Sequence, residues 1–212
     1  MTIPKNTDVL IIGGGPAGSM AATKLAQQNI DVVLFEKERF PRHKVGESLI
    51  PHFWKFMDEM EVADEIVKEN FIKKSGGATL WDGSLRAMSF AEYGYKRPGL
   101  HVERDRFDDI LLTQAKKTGA IIFENTTVTQ VKIEDNNNEV GYYSEDSNSK
   151  QSIDAKFVID ASGQNSVIAK QEGIREFDET FRFQAFYSYF DKSDYLNAKG
   201  KVTTFENRYK DS

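Results

Sequence analysis

The sequence predicts an α/β fold: a Rossmann-like lobe on a parallel sheet, a β-meander, and part of a second, mostly antiparallel sheet. Three observations predict it. The apolar run Asp8-Val9-Leu10-Ile11-Ile12 breaks into Gly13-Gly14-Gly15-Pro16-Ala17-Gly18, with glycines spaced Gly-x-Gly-x-x-Gly. An amphipathic stretch follows, and then a second apolar run, Val32-Val33-Leu34-Phe35, ends in the acid Glu36. Farther on, Phe157-Val158-Ile159-Asp160 is another apolar run ending in an acid, before Ala161-Ser162-Gly163. Strand, tight turn, helix, strand and carboxylate in that order is the arrangement that holds a dinucleotide.

Each part has a physical job. Gly13 permits the turn, Gly15 keeps a side chain out of the pyrophosphate's place, and Gly18 lets the helix pack closely on the strand. Pro16 and Ala17 open that helix, where unpaired backbone N–H groups and the positive end of the dipole favour an anion. Glu36 stands where a carboxylate accepts hydrogen bonds from a ribose diol, and its charge repels a 2′-phosphate. The ligand expected is therefore FAD or NAD rather than NADP. Lys37, next to Glu36, joins the candidate cofactor-binding set.

The remaining elements follow in order. Residues 17–28 read as the first helix, with Met20, Ala21, Leu25 and Ala26 toward the sheet, and residues 30–35 as the second strand. A helix is expected from Leu49 to Met60, starting near Ser48 with Pro51 in its first turn, and a shorter one over 63–67. Residues 76–81 and 86–90 read as strands of a separate sheet. Asp105 is the expected N-cap of a helix over 106–117, closed by Gly119. Strands are expected over 120–123, 126–133 and 139–143, with a polar hairpin tip over 144–152. A helix starts at Ser166, and residues 181–190 and 201–205 alternate like strands of the second sheet. The domains predicted are a discontinuous nucleotide lobe, 1–72 and 99–175, and a partial sheet lobe, 73–98 and 176–212.

Composition limits the function. The 212 residues suffice for one large core, or a large and a small lobe. A net charge of −5 with scattered basic residues argues against a nucleic-acid partner. With no cysteine, disulfides, thiolate metal sites and thiol catalysis are excluded, which suits a reducing compartment. His43, His52 and His101 lack the pairing of a metal site. No apolar run approaches the ~18 residues of a membrane span, and the N-terminus is too short and polar for a signal peptide. A cytoplasmic protein without a membrane span is expected.

With these motifs in place the chain resembles a known group. The glycine turn with Glu36, then Arg104-Asp105-Arg106-Phe107-Asp108, then Asp160-Ala161-Ser162-Gly163, is the motif order of the flavoprotein monooxygenases with the p-hydroxybenzoate hydroxylase fold. Pro41-Arg42-His43-Lys44-Val45-Gly46-Glu47-Ser48-Leu49-Ile50-Pro51 and Lys73-Lys74-Ser75-Gly76-Gly77-Ala78-Thr79-Leu80-Trp81 look most like the flavin-dependent halogenase branch. The resemblance implies a Rossmann-like FAD-binding domain with FAD as cofactor. It places Arg104 at the pyrophosphate or ribityl chain, although the same residue also reads as a surface arginine at a helix start. It places the backbone of Val128 at the adenine edge, and Asp160 and Gly163 beside pyrophosphate and ribose. Asp160 equally suits a turn or helix cap. Gly46 and Ser48 are implied to line the passage between flavin and substrate; Ser48 also suits an N-cap.

The catalytic residue implied is Lys74. Halogenases of this type form hypohalous acid at a flavin hydroperoxide and pass the halogen on by way of a lysine, as a hydrogen-bonded acid or a chloramine. Lysine suits either role, because burial shifts its pKa readily. Lys73 points the opposite way if the segment is a strand; the bland alternative is a pair of solvated lysines. The implied activity is halogenase-like monooxygenation of an electron-rich, aromatic small molecule, with reduced flavin from a partner flavin reductase or from NAD(P)H. Relatives in this group run well past this length. Neither Trp-x-Trp-x-Ile-Pro nor a later Gly-Asp segment occurs here, so the chain is expected to be the N-terminal portion, truncated relative to the family. Two other readings stand beside it: a non-catalytic or incomplete FAD-binding fragment, and a geranylgeranyl-reductase-like flavoprotein. The latter group carries Cys-Gly where this chain has Val45-Gly46.

Overall fold

The computed structural model describes residues 2–135 and 137–180, together with three short strands beyond them. In chain order the elements are β1 (Asn6–Ile12), α1 (Pro16–Ala26), β2 (Val32–Phe35), β3 (Ser48–Leu49), α2 (Phe53–Glu59) and α3 (Ala63–Lys68). Next come β4 (Ile72–Lys74), β5 (Gly76–Trp81), β6 (Ser84–Ser89), β7 (Gly99–His101) and α4 (Arg104–Thr118). The rest are β8 (Ile121–Phe123), β9 (Thr126–Lys132), β10 (Asn138–Ser144), β11 (Ser149–Asp160), α5 (Val167–Gln171), β12 (Asn197–Ala198), β13 (Lys201–Val202) and β14 (Thr204–Asn207). The strand expected over 181–190 lies outside the described residues.

Two compact units emerge: residues 1–44 with 104–177, and 45–103 with 178–212. The sequence reading put the breaks near 72 and 99 instead. Residues 45–72 group with the second unit because β3 pairs with β7, Ser48 opposite His101 and Leu49 opposite Leu100. The same pairing explains why no helix starts at Ser48. Pro51 holds Ile50 out of the helical region, and α2 begins only at Phe53.

The first unit is built on a six-stranded sheet in the order β8-β2-β1-β11-β10-β9. β8, β2, β1 and β11 run parallel; β10 and β9 continue antiparallel as the meander. β11 joins the two halves. Its start pairs with β10, Ser149 opposite Ser144, and its end pairs with β1, Asp160 opposite Ile12. The expected polar tip over 144–152 is thus mostly strand, and only 145–148 turn.

Alternation along β1 explains the layering. Val9 and Ile11 face α1 and α4, packing with Ala22, Leu34, Leu112 and Ala115. Leu10 and Ile12 face the meander, with Val33, Phe35, Val131, Val140, Tyr142 and Ile153. The Phe35 and Tyr142 rings lie 4.8 Å apart between centroids. Each such aliphatic or aromatic side chain stabilises the fold by about 1.5–3 kcal/mol when withdrawn from water. The fully buried residues of α1 are Gly18, Ser19, Ala22 and Thr23, and of the stripe expected toward the sheet Ala21, Leu25 and Ala26 pack against the same core. Buried hydroxyls are tolerated there because Ser19 Oγ donates to the Gly14 carbonyl and Thr23 Oγ1 to that of Ser19.

The helix α4 starts at Arg104, so Asp105 sits inside its first turn rather than capping it. A carboxylate there still complements the helix dipole. In the second unit, β3, β7 and β4 form one antiparallel sheet and β14, β5 and β6 another, with β14 parallel to β5. Trp54 and Met57 of α2 and Ile66 of α3 are buried. The indole Nε1 of Trp54 donates to the Pro98 carbonyl at 2.7 Å. Among the described residues, no helix is long and apolar enough to cross a membrane.

Candidate cofactor site

At the end of β1 the chain turns through Gly13, whose φ of +103° belongs to the region glycine adopts without strain. The Gly13 N–H donates to the Phe35 carbonyl at 2.8 Å, fastening the turn to β2. A Cβ at Gly13 would lie 2.6 Å from the Ala161 carbonyl oxygen, and one at Gly18 only 1.9 Å from that of Gly13. Both positions are closed by backbone. Gly15 differs: a Cβ there meets only Arg42 Nη2, at 3.6 Å. It also caps α1 with φ −69° and ψ −178°, a conformation open to any residue. Space in front of Gly15 and a helix start without a side-chain cap fit a ligand diphosphate.

Glu36 is 4% exposed, and two backbone N–H groups hold its carboxylate. Its Oε2 accepts from the Gly14 N–H at 2.7 Å and its Oε1 from the Glu38 N–H at 3.0 Å. Each carboxylate oxygen keeps a second lone pair, so a ribose diol can still donate to it. Glu36→Ala removes that acceptor and leaves the buried Gly14 N–H unpaired. We expect flavin affinity to fall by about 1–3 kcal/mol, read by fluorescence titration. Lys37 is exposed.

The sequence reading overlooked Arg42 and Asp108 as site residues. Asp108, on α4, is fully buried. It accepts from Arg104 Nε at 2.7 Å and Nη2 at 2.9 Å, and from Arg42 Nη1 at 3.0 Å. Arg42 Nη2 lies 3.9 Å from Glu36 Oε2, beyond hydrogen-bond distance, beside the glycine turn. Arg42 Nε is 3.5 Å from Glu38, whose carboxylate also pairs with Lys44 at 2.7 Å. Burial pushes the Glu38 carboxyl up, but Lys44 together with the charges of Lys37 and Arg42 holds it below the usual range. The signal in the sequence was the four-residue spacing from Arg104 to Asp108, which puts both on one helix face.

Asp160 ends β11, and its carboxylate is engaged locally. Oδ1 accepts from the Ser162 N–H at 3.0 Å and hydroxyl at 2.5 Å, and Oδ2 from the Ile168 N–H at 2.8 Å. It fastens the loop whose Ala161 carbonyl packs on Gly13. Gly163 lies in that loop with φ +62°. Val128 has its side chain in the meander core. In the second unit, Gly46 has φ +111°. Lys74 is 5% exposed on β4, while Lys73 faces solvent. The Lys74 ammonium donates to the Ser48 hydroxyl across the β3-β7-β4 sheet.

Residues 6–206 match the FAD binding domain family. The chain belongs to that family. Its cofactor is FAD, and the glycine turn, Glu36 and the arginine pair form a site that fits it. This FAD binding domain is 36% identical to the 1H-pyrrole-2-carbonyl-[peptidyl-carrier protein] chlorinase of Pseudomonas fluorescens, over 90% of this chain and 47% of the relative. The flavin-dependent halogenase CmlS superposes with a TM-score of 0.76 at 32% identity, covering 82% of this chain and 32% of that one. The halogenase PltM in complex with phloroglucinol and FAD gives 0.65 at 27% identity, covering 79% and 36%. The chain therefore spans less than half the length of these relatives and corresponds to their N-terminal portion.

Proposed function

We propose that this chain is the N-terminal, FAD-binding part of a halogenase-like monooxygenase acting on an electron-rich, aromatic small molecule. The observation that carries the reading is Lys74, buried on β4 with its ammonium against Ser48 while Lys73 turns outward. FAD, when bound and reduced, supplies the electrons and the oxygen activation. The chain's own residues hold that cofactor and direct its product. Gly15 and the start of α1 receive the diphosphate, Arg42 and Arg104 neutralise it, and Glu36 accepts from the ribose. Gly46 and Ser48 belong to the passage toward substrate. Lys74 would hydrogen-bond hypohalous acid and present it to the ring, where the halogen replaces a ring proton and water leaves. As a neutral amine it would instead exchange an N–H proton for the halogen with release of water, then give the halogen to the ring in exchange for the ring proton. Burial around Lys74 would keep the oxidant from escaping into bulk solvent before it meets the ring. Reduced flavin comes from a flavin reductase or NAD(P)H, and the setting is the cytoplasm.

The test is product mass from the full-length protein supplied with reduced flavin, oxygen and phloroglucinol. Separate runs contain chloride, bromide, or no halide. The expected product gains chlorine or bromine according to the salt, and none forms without halide. A product that gains oxygen in all three runs makes the protein a hydroxylase instead.

A further inference from the structure

The carboxylate of Asp108 touches no open space, yet it organises the charged side of the cofactor site. It is fully buried, and both of its oxygens are taken by guanidinium groups. The Arg42 and Arg104 side chains are only 9% and 14% exposed. Two arginines share one carboxylate in a poorly solvated place. Glu36 and Glu38 flank Arg42 at 3.9 and 3.5 Å, Glu36 also accepting from the Gly14 N–H and Glu38 pairing with Lys44. A buried ion cluster is rarely worth more to stability than apolar residues of the same volume, so stability alone does not account for it. Its geometry does have a use. Arg42 spends Nη1 on Asp108, which turns Nη2 toward the start of α1 beside Gly15. Arg104 spends Nε and Nη2 on the same carboxylate, so the fork is locked in one rotamer.

We infer that Asp108 is a positioning residue that sets Arg42 and Arg104 in advance for the diphosphate of FAD. The inference rests on FAD occupying the glycine turn. Preorganisation saves the ordering cost of two long side chains at the moment of binding. The effect must therefore fall on the diphosphate and not on the adenosine end of the ligand.

The experiment compares ADP with AMP, each displacing FAD from the full-length protein. Wild type is expected to prefer ADP. Asp108→Asn, which keeps the shape and removes the charge, should reduce that preference at least tenfold, about 1.4 kcal/mol. Arg42→Gln should reduce it likewise, and the double variant should lose little more than either alone, because the residues act as one unit. Equal weakening of ADP and AMP in Asp108→Asn would mean general loosening and overturn the inference, as would unchanged affinities. If Asp108→Asn does not fold, Asp108→Glu carries the same comparison, since a longer arm displaces both guanidinium groups. Wild-type protein that binds neither FAD nor ADP overturns the cofactor reading, and the inference with it. Wild-type binding with an unaltered ratio in the variants overturns the inference alone.

Discussion

Replacing Gly15 with valine is expected to strip the protein of flavin while leaving its fold standing. The backbone at Gly15 suits any residue, and its missing side chain faces only Arg42 Nη2 at 3.6 Å. The cost to the ligand-free protein is the loss of a preferred helix cap, no more than about 1 kcal/mol. The isopropyl group instead fills the place of the diphosphate. Flavin affinity should fall at least ~100-fold, equivalent to about 2.7 kcal/mol. Gly18→Ala should behave in the opposite way. A methyl group 1.9 Å from the Gly13 carbonyl oxygen forces the helix off the strand. That should cost about 3 kcal/mol of stability with or without cofactor. Flavin titration and thermal unfolding of the two variants separate a glycine kept for ligand from one kept for packing. Equal flavin uptake by Gly15→Val and wild type would sink the site assignment.

In the full-length enzyme, Lys74→Ala is expected to abolish halogenated product, lowering its formation by at least about a thousandfold, ~4 kcal/mol. Lys73→Ala should stay within about threefold, because its side chain lies on the solvent face of β4. Lys74→Met gives the necessary control. It keeps an unbranched side chain of similar bulk but has no amine to donate to Ser48 or to bind halogen. Met and Ala variants that fold, bind FAD and consume oxygen without halogenating assign the loss to the amine. Halogenation undiminished in Lys74→Met would remove Lys74 from the chemistry, and with it the observation on which the halogenase reading rests.

Much of the nucleotide-binding unit was legible in the chain because its determinants are local. An apolar run ending in a glycine turn specifies β1 and the start of α1, and alternation along Val9 to Ile12 specifies which side chain faces which layer. Backbone conformation at Gly13 and close packing at Gly18 need only the residue type to be read. The face of α1 was legible in part: Ala21, Leu25 and Ala26 do pack against the core. A hydropathy reading passes over Ser19 and Thr23, whose buried hydroxyls donate to the carbonyls of Gly14 in the turn and Ser19 in the helix. Ser48 was misread for a related reason. Its cap-like identity suited a helix start, but β7, more than fifty positions onward, was available to pair with it.

By itself, then, the sequence determined the parallel sheet, the glycine turn, the acid at Glu36 and the family to which they belong. Those features repeat over short spans and obey local stereochemistry. Tertiary structure alone decided that Asp108 gathers Arg42 and Arg104, that the Asp160 carboxylate ties down its own loop, and that Lys74 rather than Lys73 is buried against Ser48. Charges and hydroxyls act through distance in space. Arg42 and Asp108 are separated by 66 positions along the chain, and only the packing of α4 beside the glycine turn brings them within 3.0 Å.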